Sequence, residues 1–137
     1  MKIVVVDGQG GKLGKQVVER LSALQCKAEI IAVGTNSAAS SSMLKGGANA
    51  AATGENALIV ACRKADIIVG PVGIVIADAL LGEITPRMAN AVGSSSALRV
   101  LLPVNKCDNY IAGVGNITLS EMIEDAVEKI KEIMAGN

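Results

Sequence analysis

The stretch that decides the fold is residues 3–15, which read Ile3-Val4-Val5-Val6-Asp7-Gly8-Gln9-Gly10-Gly11-Lys12-Leu13-Gly14-Lys15. It opens with a β-branched apolar run, which is typical of a short strand buried on both faces of a parallel sheet. The glycines that follow end this strand. Beyond them, apolar residues recur at helical spacing, at Leu13, Val17, Val18, Leu21 and Leu24. The stretch therefore predicts a strand, a tight glycine-rich loop and a helix.

The same alternation continues along the chain. Short apolar runs predict strands at residues 2–6, 28–33, 66–69, 97–104 and 110–114, and more weakly at 48–53. Helical spacing and capping residues predict helices at residues 13–24, 37–45, 55–64, 74–81 and 86–93, and from residue 118 to the end. This order predicts an α/β fold with a single Rossmann-like domain over residues 1–137. We expect three layers: a doubly wound, mostly parallel sheet with helices on both faces.

The composition of the chain excludes several classes of function. Its 137 residues are 50% apolar and 19% charged, and 13 basic and 13 acidic side chains give a formal net charge of zero. A balanced charge does not suit a protein that binds nucleic acid or an anionic membrane. The chain has no histidine, which excludes histidine-based catalysis and metal binding by histidine.

Cysteine content and hydropathy indicate the compartment. The three cysteines, Cys26, Cys62 and Cys107, stand far apart, which does not suit a disulfide framework or a zinc knuckle. The N-terminus has no signal-peptide pattern, and no apolar run is long enough to span a membrane. We therefore expect a reduced, cytoplasmic protein. Because half of the residues are apolar and few are charged, we also expect an apolar surface that is buried between the subunits of a homo-oligomer.

The glycine-rich loop is the candidate ligand site. Glycines let the backbone turn sharply and approach an anion, and the N-terminus of the following helix offers unpaired amides and a partial positive charge. The spacing Gly8-x-Gly10-x-x-x-Gly14 is looser than the dinucleotide-binding fingerprint, so a tight turn without a ligand is the alternative. The residues predicted to bind phosphate here are Gly8, Gln9, Gly10, Gly11, Lys12 and Leu13.

The residues after the second predicted strand bear on the choice of nucleotide. The acid that usually binds the ribose hydroxyls of NAD is missing there, and Gly34-Thr35-Asn36-Ser37 stands in its place. Hydroxyl and amide groups suit a 2′-phosphate better, so the sequence favours NADP over NAD and adds Thr35 and Asn36 to the site. Asp7 lies at the mouth of the same site, where it can cap the loop, hold Mg²⁺ or act as a base. Capping is the favoured role.

Two later loops are expected at the same edge of the sheet. Doubly wound sheets bind ligands outside the carboxyl ends of their strands, so Gly70, Pro71, Gly73 and Asn105 are predicted to face the glycine-rich loop. The run Asn105-Lys106-Cys107-Asp108 also matches a pattern that binds a guanine base. A P-loop is lacking, because Gln9 and Gln16 stand where glycine and Ser/Thr are required, so a GTP-type site is a minor alternative.

Several blocks of the sequence resemble one known family. They are Val-Asp-Gly-Gln-Gly-Gly at residues 6–11, Gly-Thr-Asn at 34–36, Ala-Thr-Gly-Glu-Asn-Ala at 52–57, Gly-Pro-Val-Gly at 70–73, Gly-Glu-Ile-Thr-Pro at 82–86 and Pro-Val-Asn-Lys-Cys at 103–107. Together they resemble a small bacterial family catalogued as a domain of unknown function, and the resemblance covers almost the whole chain. It implies a soluble, Rossmann-like protein and brings no established activity, so no catalytic residue is carried over.

Three functions remain open on the sequence. The favoured one is a small nucleotide- or dinucleotide-binding protein that holds the phosphates at the glycine-rich loop. One alternative is an enzyme acting on a small phosphorylated or acidic metabolite, with Asp7, Lys12 or Asn105 in place of the absent histidine. The other is a non-catalytic assembly protein whose apolar surface is its function. No residue is assigned a catalytic role.

Overall fold

The computed structural model describes residues 1–104 and 108–136. Its strands are β1 (Lys2–Asp7), β2 (Glu29–Gly34), β3 (Ala50–Thr53), β4 (Ile67–Pro71) and β5 (Leu98–Leu102). Its α-helices are α1 (Lys12–Ala23), α2 (Ser37–Lys45), α3 (Glu55–Lys64), α4 (Pro86–Gly93) and α5 (Leu119–Ala135), and a 3₁₀ helix covers Val72–Val75. None of the helices in the described part of the chain is both long enough and apolar enough to cross a membrane.

The strands form one sheet with the order β3-β2-β1-β4-β5, and every neighbouring pair is parallel. This is the strand order of a Rossmann-type sheet, so the predicted fold class is confirmed. The order reverses between β1 and β4, because the chain builds outward from β1 to β3 and then returns to the other side of β1. The carboxyl ends of β1 and β4 therefore flank the place where such sheets bind ligands.

Helices cover both faces of the sheet. On one face, α1, α2 and α5 pack against Ile3, Val5 and Ile67. On the other face, α3 and α4 pack against Val4 and Ile68. Because successive strand residues point to opposite faces, the apolar run at residues 3–6 supplies both cores, and each of its side chains is fully buried.

The helix predicted at residues 74–81 does not form. After the 3₁₀ helix the chain passes through a series of turns, in which Asp78, Leu80 and Leu81 have positive φ angles. The β-branched residues at 72–76 disfavour a helix, and the apolar side chains of Ile74 and Ile84 are instead buried one by one against the core. The apolar pattern of this segment therefore reflects burial and not helical periodicity.

The strand predicted at residues 110–114 is also replaced by turns. The Tyr110 side chain is 85% exposed, and Gly113 has a φ of +86° that does not fit an extended strand. Within the described residues, β5 is therefore an edge strand that pairs with β4 alone.

Candidate functional site

The carboxyl edge of the sheet brings three loops together. They are the β1–α1 loop at residues 8–11, the β2–α2 turn at Thr35 and Asn36, and residues 76–85 between the 3₁₀ helix and α4, which we call the strap. The strap crosses the point where the strand order reverses: Leu80 Cδ1 lies 2.9 Å from the place where a Cβ on Gly8 would be. Two of the predicted loops, the β1–α1 loop and the β2–α2 turn, therefore meet, with the strap packed against them.

Close packing explains two of the glycines in the β1–α1 loop. A Cβ on Gly8 would lie 2.8 Å from Thr35 Oγ1, and a Cβ on Gly11 would lie 2.7 Å from the Cα of Ala39. Gly11 also has a φ of +72°, and its amide donates to the carbonyl of Gly8 at 2.9 Å. Backbone contact and a positive φ therefore require glycine at residue 11, whether or not a ligand binds, while a side chain at residue 8 would have to displace Thr35, Leu80 and Glu83.

Asp7 holds this loop from the inside. Its buried carboxylate accepts hydrogen bonds from the amide of Gly8 at 2.8 Å and from the amide of Gly14, in the first turn of α1, at 2.7 Å. Burial raises the pKa of Asp7, and the two hydrogen bonds act against that shift. The predicted role of Asp7 as a cap is confirmed. Because the carboxylate is buried and both of its oxygens accept hydrogen bonds from the loop, the structure gives no support to the alternative roles of Asp7 as a base or a metal ligand.

A carboxylate from the strap joins the three loops. Glu83 Oε1 accepts hydrogen bonds from the Thr35 hydroxyl at 2.6 Å, from Asn36 Nδ2 at 2.7 Å and from the Gln9 amide at 2.9 Å. Burial raises the pKa of Glu83, but the three hydrogen bonds together lower it below its ordinary value. Glu83 is therefore ionised at neutral pH. Its negative charge therefore lies within hydrogen-bond distance of Thr35 and Asn36, the two residues that were predicted to bind a 2′-phosphate.

We expect Glu83→Gln to reduce the loss of stability in acid. Because the pKa of Glu83 is lowered by folding, its carboxylate stabilises the fold above the ordinary value of 4.5, and this contribution is lost as the pH falls through the lower, folded-state value. Urea unfolding measured from neutral pH into this acid range should show a smaller decline for the variant than for the native protein. Glu19→Gln, on the exposed side of α1, controls for the loss of one surface charge. Equal declines for Glu83→Gln and the native protein would contradict the conclusion that folding lowers the pKa of Glu83.

The outer side of the β1–α1 loop is open. Within the described residues, the amides of Gly10, Lys12 and Leu13 form no hydrogen bond. A Cβ on Gly10 would meet no atom within 4 Å, and the Lys12 side chain is exposed. Lys12 and Leu13 are the first two residues of α1, so their amides belong to the partially positive end of that helix. This is the part of the predicted phosphate site whose amides are not already bonded within the described residues.

The residues predicted after β4 lie deeper than the loops. Gly70 and Pro71 end β4 and Gly73 lies in the 3₁₀ helix, and all three are buried. A Cβ on Gly70 would lie 2.4 Å from the carbonyl oxygen of Val6, so glycine there permits the close approach of β4 to β1. Their positions give no support to a role in ligand binding, which stays a prediction. Asn105 lies outside the described residues.

No local sequence pattern points to Glu83 or Leu80 as part of the site. Leu80 belongs to the segment 74–81 that was predicted to be a helix and Glu83 follows that segment, and both reach loops that are far away along the chain. The sequence gives only an indirect indication: the acid that usually binds the ribose hydroxyls of NAD is missing after β2. An acid from the strap fills that place.

Three surface cavities, of about 770, 540 and 370 Å³, are lined by no described residue of the predicted site. The largest lies between α3 and α4, with Arg63 and Arg87 in its lining. At the carboxyl ends of β1 and β4, where a doubly wound sheet usually presents its ligand cavity, the strap is packed instead.

Comparisons with known proteins show the family of the chain. The crystal structure of a dodecameric FMN-dependent UbiX-like decarboxylase from Escherichia coli O157:H7 has a TM-score of 0.48 and 14% sequence identity to it, over 98% of this chain and 94% of the other. A likeness at this level says nothing about ligand or activity. No curated protein matches the chain. The family described as a domain of unknown function, DUF3842, matches residues 2–135, and the chain therefore belongs to that family.

Proposed function

We propose that the protein binds a small nucleotide-type molecule through a phosphate group on the outer side of the β1–α1 loop. The observation that carries this proposal is the set of three amides, of Gly10, Lys12 and Leu13, that have no hydrogen-bond partner among the described residues and lie at the N-terminus of α1. Amides in this setting bind phosphate with the help of the helix dipole. The exposed Lys12 side chain adds a positive charge beside them.

The choice between nucleotides depends on Glu83. A 2′-phosphate at Thr35 and Asn36 would lie against an ionised carboxylate, and like charges at hydrogen-bond distance repel each other. The preference for NADP over NAD that the sequence suggested therefore has no support while Glu83 occupies these residues. The proposed ligand is a nucleotide phosphate, without a preference between the two dinucleotides.

We expect Gly10→Leu to lose ligand binding and keep the fold. A Cβ at this position would meet no atom within 4 Å, and we expect the rest of the leucine side chain to cover the unpaired amides. The melting temperature of the native protein should rise by about 3–6 °C with at least one of NAD, NADP, ATP and GTP at roughly ten times its Kd, and that of the variant should not.

Gly93→Leu is the matched control for Gly10→Leu. Gly93 is the last residue of α4, and a Cβ there also meets no atom within 4 Å. This variant should keep the native response to the ligand. If none of the four nucleotides shifts the melting temperature of the native protein, the proposed function is wrong.

We also propose that the chain self-associates. Its support is apolar surface near the edge of the sheet: Leu98 on β5 is 48% exposed, and Ile117 and Leu119 are 43% and 37% exposed. Single exposed leucines are ordinary, but an unpaired strand edge can pair with another chain. Sedimentation equilibrium should give a mass that is a multiple of 13.9 kDa. A monomer at all concentrations would contradict this proposal.

A further inference from the structure

We propose that the Gln9 amide, the Thr35 hydroxyl and the Asn36 carboxamide form a second oxyanion-binding site, and that Glu83 is a tethered occupant which a ligand's phosphate displaces. The identity of the physiological ligand rests on the proposed function, but the site itself is defined by its geometry alone. Three donors converge on one carboxylate oxygen at distances of 2.6 to 2.9 Å. Carboxylate and phosphate oxygens accept the same kind of charge-assisted hydrogen bond, so the three donors can bond to an oxygen of either group.

The side-chain donors are held in place by contacts that do not involve Glu83. Asn36 caps α2, because its Oδ1 accepts from the amide of Ala39 at 2.9 Å, and its Nδ2 also donates to the carbonyl of Gln9 at 2.9 Å. Thr35 is fixed through its own amide, which donates to the carbonyl of Asp7 at 3.1 Å. These bonds fix the Asn36 carboxamide and the backbone of Thr35, and the Thr35 hydroxyl needs only a side-chain rotation to donate to an anion beside them. A site whose donors are already arranged loses little conformational entropy when it takes a new anion.

The strap holds Glu83 at this site in a conformation that non-glycine residues disfavour. Asp78, Leu80 and Leu81 have φ angles of +66°, +56° and +56°, in the left-handed region. The side chain of Leu81 is 96% exposed and adds no packing. The tip of the strap is therefore kept near the β1–α1 loop by Leu80 and by the hydrogen bonds of Glu83. An anion that replaces Glu83 would remove the second of these contacts and let the tip relax.

Small anions test the site directly in Glu83→Ala. Sodium formate and inorganic phosphate, each compared with sodium chloride at equal ionic strength, probe the carboxylate and the phosphate class separately. Either anion at roughly ten times its Kd should raise the melting temperature of Glu83→Ala by about 3–6 °C. With formate, the native protein should shift by less than about 1 °C, because a tethered carboxylate competes at an effective concentration in the millimolar range or above. With phosphate, the native protein should shift by less than Glu83→Ala does, since the outer side of the β1–α1 loop is the same in both proteins. Equal shifts in the two proteins overturn the proposal.

Asp66→Ala is the control for the loss of a carboxylate that binds a backbone amide. Asp66 accepts from the amide of Lys2 at 2.7 Å, at an exposed position with no other donor bonded to its side chain among the described residues. The melting temperature of Asp66→Ala should respond to formate and phosphate as that of the native protein does. Should Glu83→Ala fail to fold, Glu83→Gln serves instead, with the NMR signal of the Gln9 amide as the readout. Phosphate should move that signal further in the variant than in the native protein, and equal movement in the two proteins overturns the proposal.

Nucleotides then separate this inference from the proposed function. We expect Glu83→Ala to bind the nucleotide whose phosphate enters the site about tenfold more tightly than the native protein does, because the internal competitor is gone. If the native protein binds a nucleotide and Glu83→Ala binds it equally or more weakly, the inference is wrong and the proposed function stands. If formate and phosphate stabilise Glu83→Ala but no nucleotide binds either protein, the oxyanion site stands and the proposed function fails.

Discussion

Replacing Asp7 with alanine is expected to lower the free energy of unfolding by about 2–6 kcal/mol, since it leaves two buried amides without an acceptor at about 1–3 kcal/mol each. The amides of Gly8 and Gly14 donate to separate oxygens of Asp7, at 2.8 and 2.7 Å, and the residue is only 6% exposed. Water has little access to replace either bond. Domains of this kind are stable by about 5–15 kcal/mol, so the loss is a large fraction of the total.

Two further variants show where this effect comes from. Asp66→Ala removes a carboxylate that also accepts from a backbone amide, that of Lys2, but at an exposed position where water takes over, so its effect should stay below about 1 kcal/mol. Asp7→Asn keeps the shape but offers one acceptor and one donor, so one of the two amides faces an N–H group. Urea unfolding followed by circular dichroism measures all three. A loss for Asp7→Ala no greater than for Asp66→Ala would contradict the capping role.

Short-range chemistry explains why much of the fold could be predicted. The bounds predicted for α2, α3 and α4 agree with the structure, because caps, prolines and glycines act within a few residues of a helix end. Thr85 is an example: its hydroxyl accepts from the amide of Met88 and Pro86 opens the helix behind it. The parallel sheet follows in turn from the alternation of such elements, since parallel strands need crossover connections.

Long-range contacts explain why the occupant of the site could not be predicted. Residues 74–81 have apolar side chains at helical spacing, but they form turns in which Ile74 is buried in the core and Leu80 packs against Gly8. Just beyond them, Glu83 bonds to loops that are far away along the chain. Glu83 and Gln9 are 74 residues apart in the chain. A glycine-rich loop therefore predicts where amides become available for binding. It does not predict which distant acid within the same chain engages them.

The other large effect is expected at Gly70, where alanine should destabilise the protein by about 1–3 kcal/mol or more. The added Cβ would lie 2.4 Å from the carbonyl oxygen of Val6 and 3.1 Å from Cδ1 of Ile74. The Ile74 side chain can rotate away, but the carbonyl belongs to the backbone of the central strand β1. β4 and β1 pair in register through Ile3↔Ile67 and the two positions beyond it, so relief of the clash has to move one strand relative to the other.

Gly93→Ala is expected to raise the stability of the protein, and so it controls for the general effect of replacing a glycine by alanine. Gly93 lies inside the end of α4 with open space around its Cα, so alanine should stabilise the protein by about 0.5–1 kcal/mol through helix propensity and a less flexible unfolded chain. Urea unfolding of both variants decides why residue 70 is glycine. If Gly70→Ala is as stable as the native protein, strand packing does not require glycine there, and the ligand role that the sequence suggested for this position becomes the better explanation. A large loss of stability in Gly70→Ala means that the packing of β4 against β1 requires glycine at residue 70.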